Sequence, residues 1–116
     1  MQTDWIPLTN EDHIDQIISD SHQRPQIIFK HSTRCSISSR AYQRLDSIGP
    51  KVNDKADIYY LDVIASRPVS NSVAARFKIP HESPQVLIVS NGKVSWHESH
   101  YGIQSDAIME ALKVTQ

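Results

Sequence analysis

The sequence predicts an α/β fold in which a mixed four-stranded sheet is flanked by helices. Apolar residues recur at helical spacing in four segments, and short runs rich in β-branched and aromatic residues lie between them. An Asn-Gly pair separates the last two of these runs. The predicted order is therefore α-β-α-β-α-β-β-α. Strands joined by a helix are typically parallel and strands joined by a tight turn are antiparallel, so the sheet should be mixed.

The first half of the chain is predicted to contain two helices and one strand. Thr9 can cap a helix that carries a stripe of isoleucines, and Pro25 ends it. Residues 26–31 are then predicted as a strand. A second helical pattern runs from Ser36 to about Ser47, and the pair Gly49-Pro50 is expected to end it.

The second half is predicted to contain the remaining three strands and two helices. Residues 56–64 are mostly β-branched, aromatic or aliphatic, which is typical of a central strand. Pro68 suits the first turn of a third helix. The runs on either side of Asn91-Gly92 predict a hairpin with a two-residue turn, because this pair tolerates the positive φ angles that such turns need. A closing helix is predicted from Ser105.

Composition limits the classes of function. The 116 residues amount to one ordinary domain, expected over 1–116. Lys plus Arg number 12 against 13 Asp plus Glu, so the chain lacks the basic excess of a nucleic-acid-binding protein. No apolar run approaches the roughly 18 residues of a membrane span, and the acidic N-terminal segment does not resemble a secretory signal. We therefore expect no nucleic-acid or membrane partner and a cytoplasmic location.

Cys35 is the residue best suited to chemistry. It is the one cysteine of the chain, which excludes an intramolecular disulfide and a zinc site built on thiolates. It lies between a predicted strand and a predicted helix, where free N–H groups and the helix dipole stabilise a thiolate. The segment 30–44 contains four Lys or Arg residues and no Asp or Glu. Free cysteine is often a buried core residue, but polar neighbours favour a reactive thiol here.

Ser38 and Pro84 are the next candidates. Ser38 stands three residues after Cys35, where a dithiol oxidoreductase has its second cysteine. A serine there can hydrogen-bond a thiolate but cannot resolve a mixed disulfide, so the second thiol must come from another molecule. The Ser83-Pro84 bond is either a cis bond or an ordinary trans start of a strand.

The histidines and glycines predict no bound metal, flavin or nucleotide. His97 and His100 follow a strand, where a spacing of three does not bring side chains together as it would on a helix. Only three glycines occur, and they form no phosphate-binding loop.

Three segments carry a resemblance to a known family. The stretch Lys30-His31-Ser32-Thr33-Arg34-Cys35-Ser36-Ile37-Ser38-Ser39 resembles the active-site stretch of the YtxJ-type bacillithiol-system proteins, the monothiol bacilliredoxins. The segments 81–86 and 96–100 resemble the same family at matching intervals, over nearly the whole chain. The resemblance implies a thioredoxin-like fold, with Cys35 as the nucleophile and Pro84 as a cis proline facing it. Ser36 departs from the proline that many relatives have at this position.

The resemblance also implies an activity. A monothiol thiol-disulfide oxidoreductase of this kind removes bacillithiol, a low-molecular-weight thiol and co-substrate, from mixed disulfides on S-thiolated client proteins. The residues expected to support Cys35 are Thr33, Arg34, Ser36, Ser38, Ser83 and Pro84. The residues expected to attract the thiol cofactor are Lys30, His31 and Arg34. Two other functions stay open: a non-catalytic thioredoxin-like binding module, and a redox sensor whose cysteine is capped under oxidative stress.

Overall fold

The computed structural model describes residues 2–115 and the side chains as far as residue 113. Strands and helices alternate along this part of the chain until two consecutive strands form a hairpin. A 3₁₀ turn at His100–Gly102 then precedes the last helix. The elements are β1 (Trp5–Pro7), α1 (Asp12–Asp20), β2 (Gln26–His31), α2 (Ser36–Asn53), β3 (Asp57–Asp62), α3 (Arg67–Phe77), β4 (Gln85–Ser90), β5 (Lys93–Ser99) and α4 (Ser105–Thr115).

The strands form one mixed sheet in the order β1-β3-β2-β4-β5. β2 and β1 run parallel to β3, whereas β4 is antiparallel to both β2 and β5. The predicted α/β class is therefore confirmed, but the predicted strand count of four is wrong. Residues Trp5–Pro7 add a fifth strand. It is the outermost strand beside β3, and its Trp5 is paired with Ile58. Three residues are too few to show alternation in a sequence, and an edge strand tolerates the proline.

The second helix is longer than predicted. It continues through Gly49 and Pro50 to Asn53. A proline inside a helix leaves the carbonyl four residues earlier without its usual donor. Here the hydroxyl of Thr3 donates to the Asp46 carbonyl oxygen at 2.8 Å and supplies that hydrogen bond. Gly49 lets Thr3 approach, because a Cβ atom at this position would collide with the Thr3 side chain.

Other boundaries shift by a few residues. The first helix begins at Asp12, and the Asn10 side chain accepts the His13 N–H at 3.2 Å, so the predicted capping role of Thr9 is wrong. The predicted hairpin is confirmed, with φ angles of 52° at Asn91 and 80° at Gly92. These positive angles are those of the tight turns that match strand twist.

The sheet packs helices on both faces. Ile27 and Phe29 of β2 pack with residues of α2 and α4, while Ile28 packs with residues of α1 and α3. All six residues of β2 are buried, because β3 and β4 flank the strand and helices cover both of its faces. The end of β2 is thereby fixed, and the chain enters the Cys35 turn directly from it. Of the helices that the structure describes, none combines the length and apolar character that crossing a bilayer requires.

Candidate active site

Cys35 occupies the position just before helix α2. The turn that leads to it is closed by the Cys35 N–H, which donates to the Ser32 carbonyl oxygen at 3.2 Å. Cys35 has extended angles, φ −115° and ψ 124°, and its carbonyl accepts the Ser39 N–H at 3.0 Å. The first N–H groups of a helix have no partners within the helix. The partly exposed thiol therefore lies at the positive end of the α2 dipole, where a reagent can reach it.

Several segments meet near Cys35, at the edge of the sheet formed by the C-terminal end of β2. Lys30 pairs with Gln85 across β2 and β4, so Pro84 lies beside the end of β2 from which the Cys35 turn leaves. The Ser83-Pro84 bond is cis, as one of the two sequence alternatives has it. The Pro84 carbonyl accepts the His100 N–H at 3.1 Å, and the His31 carbonyl accepts the Val63 N–H at 3.0 Å. Four separate parts of the chain thus form this edge.

Ser38 lies inside the turn and is fully buried. Its hydroxyl oxygen accepts the Ser32 N–H at 2.9 Å and lies 2.6 Å from Nδ1 of His31. These two contacts tie the first turn of α2 to the end of β2. Ser38 therefore holds the turn, and a hydrogen bond from it to the Cys35 thiolate stays a prediction.

His31 is buried in an aromatic cluster. Its ring lies 5.5 Å from the rings of Phe29, Tyr42 and Tyr60, measured between centroids. Burial lowers the pKa of His31 below 6.5, although the Asp62 carboxylate and the contact with Ser38 act in the opposite direction. His31 is therefore neutral near pH 7, and the expectation that it attracts a thiol cofactor as a cation is corrected.

Lys30 also has a different place from the expected one. Its side chain is fully buried on the face of β2 that carries Ile28. Its ammonium donates to the Ser70 carbonyl oxygen and to Nδ1 of His81, each at 3.3 Å. A lysine enclosed in this way does not offer its charge to a substrate at the surface, so its predicted role in attracting the cofactor is corrected. The sequence signal for this burial is the alternation of side chains along a strand. Lys30 lies two residues after Ile28 and therefore on the same face of β2.

Of the remaining predicted residues, the exposed ones are Thr33, Arg34 and Ser36. Arg34 directly precedes Cys35 in the sequence, so an anionic substrate that approaches the thiol can reach its exposed guanidinium. Ser83 is half-buried, and its hydroxyl oxygen has no hydrogen-bond partner within the part of the chain that the structure describes.

The resemblance singled out segments 81–86 and 96–100, but sequence reasoning did not predict the contact between them at this edge. Nδ1 of His100 lies 3.3 Å from a carboxylate oxygen of Glu82, which joins the 3₁₀ turn to the segment before Pro84. Tyr101, in the same turn, is 67% exposed. Histidine and glutamate at this separation in sequence carry no periodic signal, and only the pairing of β5 with β4 brings them together.

Residues 2–113 hold no cluster of three or more His, Cys, Asp or Glu side chains that would suit a metal ion. His97 is exposed on β5.

Comparison with known proteins agrees with this geometry. A solved structure described as a candidate oxidoreductase with a thioredoxin fold superposes with a TM-score of 0.82, at 30% identity over 92% of each chain. The thioredoxin Mala s 13 of Malassezia sympodialis gives a TM-score of 0.76 at 14% identity, covering 97% of this chain and 91% of that one. Fasciola hepatica thioredoxin gives 0.75 at 12% identity, covering 96% and 99%. These last two show the fold alone.

The fold is thus thioredoxin-like, and the family-level match is more specific. The family model described as monothiol bacilliredoxin BrxC matches residues 6–108, which include Cys35, the cis bond before Pro84 and the 3₁₀ turn. A thiol redox function follows from this membership and from the oxidoreductase-like neighbour. The chain belongs to the monothiol bacilliredoxin BrxC family.

Proposed function

We propose that the protein is a monothiol thiol-disulfide oxidoreductase that removes bacillithiol from mixed disulfides on client proteins, through Cys35. The observation that carries the proposal is the placement of the chain's one thiol. Cys35 is partly exposed, it precedes the 18-residue helix α2, and it lies at the edge that carries cis Pro84. Family membership supports bacillithiol as the thiol that is transferred.

The first step is a thiolate exchange. The Cys35 thiolate attacks the bacillithiol sulfur of the client mixed disulfide. A sulfur–sulfur bond forms between Cys35 and bacillithiol while the bond between bacillithiol and the client breaks. The client cysteine leaves as a thiolate and takes a proton from water. One disulfide replaces another, so this step needs no external electron donor.

The second step regenerates the thiol. Ser38 provides no second sulfur, so a thiol of another molecule, either a second bacillithiol or a partner redoxin, must attack the adduct on Cys35. With bacillithiol, the products are free Cys35 thiolate and bacillithiol disulfide. Over both steps one free bacillithiol is consumed. The client cysteine is freed as a thiol, and the bacillithiol that it carried ends in a disulfide with the second bacillithiol.

Arg34 is proposed to attract the carboxylates of bacillithiol. It is exposed and adjacent to Cys35, and guanidinium groups form strong charge-assisted hydrogen bonds with carboxylates. Arg34→Gln should slow the transfer from a bacillithiolated peptide, with a smaller effect on a peptide blocked by an uncharged thiol. Arg40→Gln, which removes an exposed charge in the second turn of α2, serves as the matched control.

The experiment that tests the proposal follows release of a bacillithiolated client peptide with excess bacillithiol. The proposal expects many equivalents of free peptide per protein beyond the release by bacillithiol alone, and no such excess with Cys35→Ser. A binding module would release no more peptide than bacillithiol alone, and a redox sensor would be modified once and stop. Either of these results would contradict the proposal. The setting proposed for this reaction is the cytoplasm, with S-thiolated proteins as partners.

A further inference from the structure

A buried lysine without an acidic partner is the least expected feature of the interior. Lys30 is fully buried, and within the described residues no carboxylate forms an ion pair with it. An enclosed charge is costly unless hydrogen bonds or an opposite charge compensate it. An apolar side chain at this position would fill the same core at less cost, so packing alone does not explain a lysine here.

The contacts of Lys30 connect three elements. Its strand, β2, leads into the Cys35 turn. Its ammonium donates at 3.3 Å to the Ser70 carbonyl oxygen in α3, and at 3.3 Å to Nδ1 of His81, which lies three residues before Pro84. The Ser70 hydroxyl group lies 3.2 Å from the same His81 nitrogen. Lys30 therefore joins the strand before the thiol to the segment that ends in the cis proline.

His100 holds Glu82 and the Pro84 carbonyl at the end of this segment, whereas His81 is held by Lys30 and Ser70. Between α3 and β4, the Gln85 side chain donates to the Pro80 carbonyl oxygen at 3.2 Å. Gln85 is itself buried and is the backbone register partner of Lys30 across the strands, and its side-chain amide oxygen has no partner within the described residues. His81 is exposed on its outer side. Its inner side is held by Lys30 and Ser70.

We propose that Lys30 is a positioning residue, whose buried ammonium holds His81 and thereby keeps residues 81–84 in the arrangement that presents Pro84 beside the Cys35 edge. The proposal rests on the proposed function, since it concerns the presentation of a client disulfide to Cys35. It replaces the surface role that the sequence predicted for this lysine.

The contact depends on the protonation of both partners. A lysine ammonium has only donors, so Nδ1 of His81 must be the acceptor and the ring must be neutral. Burial and the nearby Arg67 charge lower the pKa of Lys30 to about 8. Burial, Lys30 and Arg67 lower the pKa of His81, and Glu82 acts against them. The charged contact is therefore intact near neutral pH. As pH rises through about 8, Lys30 loses its proton and with it the charge that the contact depends on.

The test compares Lys30→Met with Lys51→Met. Lys51 is an exposed lysine in the last turn of α2, at the end of the helix away from Cys35. Two rates are measured for each protein: alkylation of Cys35 by iodoacetamide, and transfer from a peptide that carries bacillithiol or glutathione. Alkylation reports on the thiol alone, whereas transfer also requires the Pro84 segment. Lys30→Met should lower the transfer rate by about tenfold to a hundredfold, because a misplacement of about 1 Å can cost as much as a hundredfold, and should leave alkylation unchanged. Lys51→Met should change neither rate.

The pH dependence separates positioning from a general structural role. In the parent protein, the ratio of transfer rate to alkylation rate should fall as pH rises through about 8. In Lys30→Met the ratio should be low and flat. His81→Phe should show the same low, flat ratio, and the double variant should be no slower than either single variant because the two residues act through one contact.

The outcomes distinguish this inference from the proposed function. If the parent protein transfers neither thiol from the peptide, the proposed function fails. If the parent is active and Lys30→Met keeps both its rate and its pH dependence, Lys30 is not a positioning residue although the function stands. If Lys30→Met does not fold, His81→Phe decides: a parental ratio in that variant would overturn the inference, and a low, flat ratio would support it.

Discussion

Ser38 stabilises the turn that carries the thiol. Ser38→Ala would leave the Ser32 N–H and the His31 ring without their buried partner. We expect the free energy of unfolding to fall by about 1–3 kcal/mol, the cost of an unsatisfied buried group. Transfer of bacillithiol to Cys35 should continue, because no sulfur is removed. Denaturant unfolding and single-turnover transfer measure the two effects.

The matched control for this change is Ser47→Ala, an exposed serine of the same helix. It should leave the free energy of unfolding nearly unchanged. A Ser38→Ala protein that is as stable as this control would show that the turn does not depend on the Ser38 hydroxyl group. A folded variant without transfer would instead assign Ser38 a direct part in the reaction.

His31 should make the protein sensitive to acid. Burial lowers its pKa below the unfolded value of 6.5, so the folded state binds fewer protons than the unfolded state. The free energy of unfolding should therefore fall as pH drops below about 6.5. In His31→Phe this fall should be smaller, whatever the change in stability at neutral pH. Urea titrations between pH 7 and pH 5 measure the two slopes.

His81 is the control for that measurement, since its pKa is also lowered but its ring is exposed on one side. His81→Phe should reduce the slope less than His31→Phe. Equal slopes in the parent protein and in His31→Phe would contradict the assignment of acid sensitivity to the buried ring.

At the scale of single residues, the sequence identified the thiol and the proline but not the environments of Lys30 and His31. Both residues lie close to Cys35 in sequence and can carry positive charge, so the sequence predicts them at a basic surface. They lie on a strand that is buried on both faces, so alternation sends one to each face and neither to solvent. That burial depends on β4, which pairs with β2 from far along the chain.

Helix α2 depends on a contact with the N-terminal segment. Thr3→Val removes the hydroxyl group that donates to the Asp46 carbonyl oxygen where Pro50 provides no N–H. We expect the free energy of unfolding to fall by about 1 kcal/mol, the usual net value of one hydrogen bond. Thr9→Val, an exposed threonine outside the helices, is the control. If both variants unfold alike in urea, the Thr3 contact does not support the helix.

The elements differ in how well the sequence predicts them, for physical reasons. The hairpin at Asn91-Gly92 is local, because its turn angles are encoded in two adjacent residues, and it was predicted correctly. The end of α2 is not local, because Gly49-Pro50 ends a helix unless another segment satisfies the freed carbonyl. β1 is likewise visible only once β3 is present to pair with it.

At the scale of the whole molecule, the fold creates the candidate site by assembly. The Cys35 turn, the segment after β3, cis Pro84 and the 3₁₀ turn are far apart in sequence and meet at one edge of the sheet. Helical and strand periodicity predicted the layers that produce this edge. The thioredoxin-like arrangement itself was implied by motif resemblance, because several folds share the same order of elements.

The central claim is that Cys35 alone accepts and passes on a small thiol. The most direct measurement is intact-mass analysis of the protein mixed with one equivalent of bacillithiolated client peptide and no free bacillithiol. We expect a single bacillithiol adduct on Cys35 and an equal amount of free client peptide, with Cys35→Ser unmodified. An unmodified parent protein, or release of the peptide by Cys35→Ser, would contradict it.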